Sequence, residues 1–132
     1  MSEDPLNEIF VDKNEPVDKK LLAEILKNFV RIDKEGIFNF SENYENLVGH
    51  KKVLIYFCCK KAMVLKGVKN IREPASQSEV SRNAHVSLDV ARNAIHRKYK
   101  KLLNKEEKGY IIPNYNLKKI KEILEDGKNK EK

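Results

Sequence analysis

The chain of 132 residues lacks the features on which several classes of protein depend. It has no tryptophan, and its two cysteines, Cys58 and Cys59, are adjacent. Neighbouring cysteines rarely pair with each other because the bond would strain the peptide between them. Spaced metal-ligand sets such as Cys-x-x-Cys are also missing. The sequence therefore predicts buried free thiols, with no disulfide and no metal site.

Long hydrophobic segments and catalytic motifs are missing as well. The longest apolar run, residues 53–59, is far too short to cross a bilayer, and no signal-peptide pattern is present. There is no glycine-rich phosphate loop, no His-Glu-x-x-His sequence and no nucleophile elbow. We therefore expect a cytoplasmic protein that is not an enzyme. It should have no cofactor, no membrane partner and no evident small-molecule substrate.

Arginine is scarce, and its placement is informative. The chain has 22 Lys but only five Arg, and three of these, Arg82, Arg92 and Arg97, lie close together. The net charge of +7 is also uneven, since residues 71–132 hold 15 basic and 9 acidic residues whereas residues 1–70 hold 12 and 11. A concentrated basic patch is typical of phosphate binding, and guanidinium groups suit base edges. The second half of the chain is therefore expected to carry the function.

Local signals in this half predict two helices and a hairpin. Ser76 and Glu79 have capping-box spacing, which predicts a short helix to about residue 83. After a turn, Ser87 is the next N-cap candidate, for a helix over residues 88–103. Residues 103–113 then have the pattern of a strand, a turn and a second strand.

The helix predicted over residues 88–103 has two different sides. On a helical projection, Ala91, Ile95, Tyr99 and Leu102 share the apolar side. The opposite side carries six polar residues: Asp89, Arg92, Asn93, His96, Arg97 and Lys100. This division indicates a helix that packs against a core and presents cations and amides to a partner.

Four short segments match the residue types and spacing of the helix-turn-helix motif: Glu79-Val80-Ser81, Val86-Ser87, Val90-Ala91-Arg92 and Ile95. Over roughly residues 50–126 the chain resembles the winged helix-turn-helix domains of bacterial and archaeal transcription regulators. It departs from their pattern at His85, where glycine is usual, and at Lys98, where leucine is usual.

The resemblance implies sequence-specific binding of double-stranded DNA by a transcription regulator. Helix 88–103 would enter the major groove and hairpin 103–113 would be the wing. The candidates for reading bases are Ser87, Asp89, Arg92, Asn93, His96 and Arg97. The candidates for contacts to the DNA backbone, including those from the wing, are Ser76, Arg82, Lys100, Lys101, Lys105 and Lys108. Two alternatives remain open: a protein-docking module that uses exposed Leu88 and Tyr110, and RNA binding.

The first half of the chain predicts an extension of this domain. Residues 17–30 form an amphipathic helix with an apolar stripe of Leu21, Leu22, Ile25, Leu26 and Phe29, and residues 30–40 form a β-hairpin. A long helix over residues 44–68, either continuous or broken near Gly49, leads into the motif. The stripe either completes the single core, which we favour, or docks on a second copy in a homodimer.

The predicted fold class is mainly α, of α+β type. A winged helix-turn-helix over residues 44–126 carries an N-terminal helix and β-hairpin over residues 17–43. Residues 1–16 are predicted to be a flexible arm and residues 127–132 a disordered tail.

Overall fold

The structure is a computed structural model that describes the backbone of residues 17–130 and the side chains of residues 17–125. The arm predicted over residues 1–16 lies outside the described residues. Helices predominate in this part of the chain, and the β structure consists of two antiparallel two-stranded hairpins. The expected α+β class is therefore confirmed.

The N-terminal helix α1 spans Lys19–Leu26 and is shorter than the predicted 17–30. Its N-cap is Asp18, whose carboxylate accepts a hydrogen bond from the Leu21 N–H at 3.0 Å. A hairpin follows as predicted, in which β1 (Val30–Ile32) pairs antiparallel with β2 (Phe38–Phe40).

The predicted long helix is divided in two, with the second part beginning at Gly49. A short helix, α2, spans Glu42–Glu45 and is capped by Ser41, and α3 spans Gly49–Leu65. Of the two alternatives left open by the sequence, the structure has the broken helix, and α3 ends three residues before the expected position 68. Residues 53–59 are all buried within α3, and Cys58 and Cys59 are free thiols as predicted. Burial raises the pKa of the Cys58 thiol to about 12.

Two short helices follow a loop after α3. The first, α4, spans Gln77–Ala84, and the second, α5, spans Leu88–Asn93. The prediction of one continuous α-helix over 88–103 is wrong, because α5 passes into a π-helical turn over Ala94–Lys98 and then a 3₁₀ turn over Lys100–Leu102.

The second hairpin and the last helix complete the fold. Strands β3 (Asn104–Glu106) and β4 (Gly109–Ile111) pair antiparallel within the predicted 103–113 span. A 3₁₀ turn over Asn114–Asn116 leads into α6, which spans Leu117–Lys130. Helix α6 thus continues past Gly127 into the segment predicted as a tail, of which residues 131–132 lie outside the described residues. A single glycine inside a helix costs only about 0.5–1 kcal/mol, which does not end a helix of otherwise good helix formers.

One hydrophobic core joins the two halves of the chain. Leu22, Ile25 and Leu26 of α1 belong to the same buried cluster as α3 and α6. The apolar stripe of α1 thus completes the core, as favoured from the sequence, and is not free to dock on a second copy. Helix α3 lies at the centre of the fold and contacts α1, α4 and α5. None of the helices described is long and apolar enough to span a membrane.

Candidate functional site

The turn between α4 and α5 is held by Ser81 rather than by a glycine. His85 ends α4 in the left-handed conformation, with φ of 64°. Its N–H and that of Val86 both donate to the Ser81 carbonyl, and the Ser81 hydroxyl donates to the Val86 carbonyl at 2.7 Å. A left-handed residue other than glycine costs about 1–2 kcal/mol. The three hydrogen bonds at Ser81 offset that cost, which explains how His85 can stand where glycine is usual.

The start of α4 is fixed by two polar residues with separate tasks. The Ser76 hydroxyl accepts from the Glu79 N–H at 3.1 Å, as the capping-box spacing predicts. The Glu79 carboxylate does not turn back to complete that box. It accepts instead from the Tyr56 hydroxyl at 2.6 Å and from the Lys60 ammonium of α3. Glu79, which the sequence marks as a capping residue, therefore forms a tertiary contact that holds α4 on α3.

The π turn after α5 sets which residues face outward. The Tyr99 N–H donates to the Ala94 carbonyl, five residues back, at 2.8 Å. Such a turn holds one more residue than an α-helical turn, so it shifts the register of the residues after it. Tyr99 is 5% exposed and belongs to the core, whereas Lys98 is exposed. Tyr99 therefore fills the core in place of the leucine that the resembled motif usually has at the position of Lys98. The predicted apolar residues Ala91, Ile95 and Leu102 are buried as well.

The predicted base-reading residues are all exposed, but the structure gives them different surroundings. Ser87 caps α5 by accepting from the Val90 N–H at 3.1 Å. Asp89 forms an ion pair with the Arg92 guanidinium on the same side of α5. Both ends of this pair are solvated, with the Arg92 side chain 56% and the Asp89 side chain 80% exposed.

His96 is held by two neighbouring elements. Its Nε2 lies 3.1 Å from Oε1 of Gln77, at the start of α4. Its ring meets the Tyr110 ring of β4 edge to face, with centroids 5.6 Å apart. The outer side of the π turn, the start of α4 and the second hairpin therefore meet at His96.

Asn93 and Arg97 line a groove that sequence reasoning missed. The groove has a volume of about 590 Å³ and lies between the start of α3 and the π turn. The other residues that line it are Gly49, His50, Val90, Ala94 and Lys98. His50 lies 43 residues before Asn93 in the chain, so no local signal links them. Lys98 could have been noticed, since it replaces the leucine expected at that position.

The second hairpin is fastened to the residue before α4. Ala75 and Tyr110 exchange two backbone hydrogen bonds of 3.0 and 2.9 Å. Gly109, with φ of +151°, makes this approach possible, because a Cβ there would lie 2.5 Å from the Ala75 backbone. The Lys105 ammonium lies 5.9 Å from the centroid of the Tyr110 ring. Tyr110 is therefore partly covered rather than exposed, and the expectation of an exposed Tyr110 is wrong.

The remaining predicted contact residues form an exposed set. Ser76, Arg82, Lys100, Lys101, Lys105 and Lys108 are all exposed. The structure joins Lys105 to His96 through Tyr110, whereas within residues 17–125 no hydrogen bond, ion pair or ring contact links Arg82, Lys100 or Lys101 to that cluster. We call the exposed cations of residues 82–108, with Asn93 and His96, the cationic surface. Asp89, Glu106 and Glu107 are its acidic residues.

Most cations of this surface have no carboxylate partner. Among the side chains that the structure describes, Arg97, Lys98, Lys100 and Lys101 form no ion pair. The same residues contain no cluster of three or more His, Cys, Asp or Glu that could hold a metal ion. The arrangement is thus suited to an extended anion. Comparison of the chain with protein-family profiles, characterised proteins and solved structures found no match.

Proposed function

We propose that the protein binds double-stranded DNA as a winged helix-turn-helix, in the manner of a transcription regulator. In this proposal α5 and the π turn enter the major groove and the β3–β4 hairpin is the wing. One observation carries it: the segment after Ser87 buries its apolar side in the core and leaves its cations and Asn93 in solvent. If that side were packed inward, a duplex could not reach it.

The position of the hairpin supports the same proposal. A wing must stand beside the helix that reads DNA, and β4 is fastened to Ala75 at the start of α4 while Tyr110 contacts His96. Lys105 and Lys108 are therefore carried on an element anchored to the same unit as α5. Their ammonium groups are suited to backbone phosphates, which fix register without reading sequence.

The base-reading role falls first to Arg92 and Asn93. Arg donates two hydrogen bonds to guanine, and Asn bonds to adenine in a similar two-pronged way. In the free protein Asp89 orients the Arg92 guanidinium along α5, which limits the side-chain entropy lost on binding. Ser87 and Asp89 then act mainly by shaping the first turn of α5.

Titration of DNA affinity against salt tests the proposal. The full chain should bind random-sequence duplex at low salt and lose affinity steeply as the salt concentration rises. The reason is that protein binding releases salt cations from the DNA phosphates, and this release becomes less favourable at high salt. Lys100→Gln and Lys101→Gln should each reduce the slope of log affinity against log salt by about 1 and weaken binding to all duplexes alike.

Selection of bound duplexes from a random library tests the base-reading assignment separately. Arg92→Gln should erode preference at one base pair, at a cost of about 1–3 kcal/mol in discrimination. If the full chain shows no duplex affinity at low salt, the proposal is contradicted. Stronger binding to structured or single-stranded RNA than to duplex DNA also contradicts it.

A protein-docking role is the second candidate, and Leu88 favours it. This side chain is 47% exposed at the first position of α5, where a large apolar group gains nothing from the core. Leu88→Ser separates the two functions. For a docking module the substitution should abolish partner binding, and duplex affinity should be negligible at any salt concentration. For a DNA-binding protein it should leave the salt slope unchanged.

A further inference from the structure

The groove between α3 and the π turn is a concave site in the cationic surface. Its floor is formed where Gly49 packs on Val90, since a Cβ at Gly49 would come within 2.9 Å of a Val90 methyl group. Glycine thus allows the start of α3 to approach α5 closely. The walls of the groove carry His50 on one side and Arg97 and Lys98 on the other.

The lining of this groove contains cations and an amide but no carboxylate. His50, Arg97, Lys98 and Asn93 supply its polar groups. A second groove, of about 730 Å³ near the other end of α3, has a mixed lining that includes Asp33, Glu35 and several lysines. Both sites are concave, but of these two grooves the first has cations and no carboxylate in its lining.

Burial and positive charge both disfavour a proton on His50. Burial, then Lys98 and Lys51, lowers the pKa of His50. The titratable and charged groups around its ring are Lys51 on α3, Lys98 and Arg97 across the groove, and Tyr99, whose ring centroid is 5.8 Å away. No described carboxylate lines the groove to favour the protonated imidazole. The free protein therefore keeps His50 neutral near pH 7.

We infer that this groove seats one phosphate of the DNA backbone, with Arg97 and Lys98 as its permanent cations and His50 as a donor that takes up a proton from solvent when the phosphate enters. The inference rests on the proposed DNA-binding function and deepens it. It moves Arg97 from the base-reading residues to the phosphate contacts, and it adds His50 and Lys98, which sequence reasoning did not assign.

The proton uptake follows from the charge that the phosphate brings into the groove. A phosphodiester carries one negative charge, which offsets the repulsion that Lys98 and Lys51 exert on a protonated His50. The pKa of His50 then rises in the complex, so binding takes up protons. By linkage, affinity strengthens as pH falls through the interval between the free and bound pKa values, and it is independent of pH above both.

The test measures duplex affinity of the full chain by fluorescence anisotropy at constant ionic strength between pH 8 and pH 6. Wild type should bind more tightly at the lower pH, by at most about tenfold per pH unit for one proton. His50→Gln should remove most of this dependence. His96→Gln should retain it, which separates His50 from the other histidine on the cationic surface.

Lys98→Gln supplies a second readout that does not involve a histidine. It should reduce the salt slope by about 1, as the loss of one phosphate contact requires. The matched control is Lys69→Gln in the other groove. Lys69 lies beyond the far end of α3, and this helix is about 25 Å long, so the control is remote from His50. The control should keep the wild-type salt slope and pH dependence. Because Lys98 is exposed, this arm remains decisive even if His50→Gln fails to fold.

The outcomes separate the two proposals. If wild type binds duplex DNA but His50→Gln keeps the full pH dependence and Lys98→Gln keeps the full salt slope, the phosphate groove is wrong and the proposed function stands. If His96→Gln alone removes the pH dependence, the role of His50 is wrong. If wild type shows no duplex affinity at low salt, both proposals fail.

Discussion

The α4–α5 unit has two sides on which charged residues behave differently. On the inner side, where α3 meets this unit and the segments that flank it, Lys60 of α3 is matched by Glu79 of α4. The next residue of α3, Lys61, is matched by Glu73 at 2.5 Å and by Asn114 at 2.7 Å, which lie before α4 and after β4. On the outer side Arg97, Lys98, Lys100 and Lys101 form no ion pair among the described side chains. Lysine is thus a structural residue on one side and a free cation on the other. Residue type alone does not reveal which role it has.

The largest expected effect comes from unpairing a buried cation on the inner side. Glu79→Ala leaves Lys60, which is 5% exposed, without its carboxylate and the Tyr56 hydroxyl without its acceptor. We expect the free energy of unfolding to fall by about 3 kcal/mol in urea denaturation. Glu125→Ala, which removes the exposed pair with Lys121, is the control and should have a much smaller effect. Equal losses in the two variants would show that the inner pairs contribute no more than surface ones.

A second substitution disturbs the junction between the two sides. Gly109→Ala places a Cβ 2.5 Å from the Ala75 backbone, which must separate β4 from the start of α4. We expect a loss of about 2 kcal/mol in thermal unfolding, together with weaker duplex binding because Lys105 and Lys108 lose their position. Gly67→Ala is a matched control, since Gly67 also has positive φ, of 76°, but no atom within 4 Å. A comparable loss in the control would mean that backbone strain, and not the contact with Ala75, makes Gly109 necessary.

The inner side contains one polar group that is not satisfied. Among the described side chains, the Tyr99 hydroxyl is the buried side-chain polar atom that has no hydrogen-bond partner. Tyr99→Phe should therefore raise the free energy of unfolding by up to about 1 kcal/mol. Tyr44→Phe should lower it by a similar amount, because the Tyr44 hydroxyl donates to the Ala84 carbonyl at 2.6 Å. Denaturation midpoints that move in the same direction for both variants would contradict this.

The smallest effect on stability is expected on the outer side. Lys98→Gln should change the free energy of unfolding by less than about 0.5 kcal/mol, as is usual for exposed positions without partners. Lys60→Gln makes the same chemical change inside and should cost several times more. If the two variants lose the same free energy of unfolding, lysines on the inner side contribute no more to stability than lysines on the outer side.

Local structure was predicted best where one or two residues decide it. Ser76 and Ser87 both cap helices as expected, because a cap depends only on a hydroxyl near the next two or three N–H groups. Both hairpins followed from turn residues in the same way. Predictions of this kind use interactions within about four residues.

The errors arose where distant residues set the local geometry. The helical projection placed Tyr99 on the apolar side, as observed, but its constant period could not show the π turn over Ala94–Lys98. Glu79 has the spacing of a capping box, yet its carboxylate bonds to Lys60, 19 residues earlier. The base-reading side was predicted as one set, but packing divides it into a pair on α5, a histidine held by Gln77 and the lining of a groove.

By itself, the sequence determined where helices begin, which of their sides are apolar, and that the positive charge lies in the second half of the chain. These properties depend on residue order and composition alone. Tertiary structure decided which cations remain free, since Lys60 and Lys61 meet carboxylates 19 and 12 residues away and the cations beside His50 meet none. The difference is physical: charge interactions depend on distance and burial, and both are set only when the helices pack.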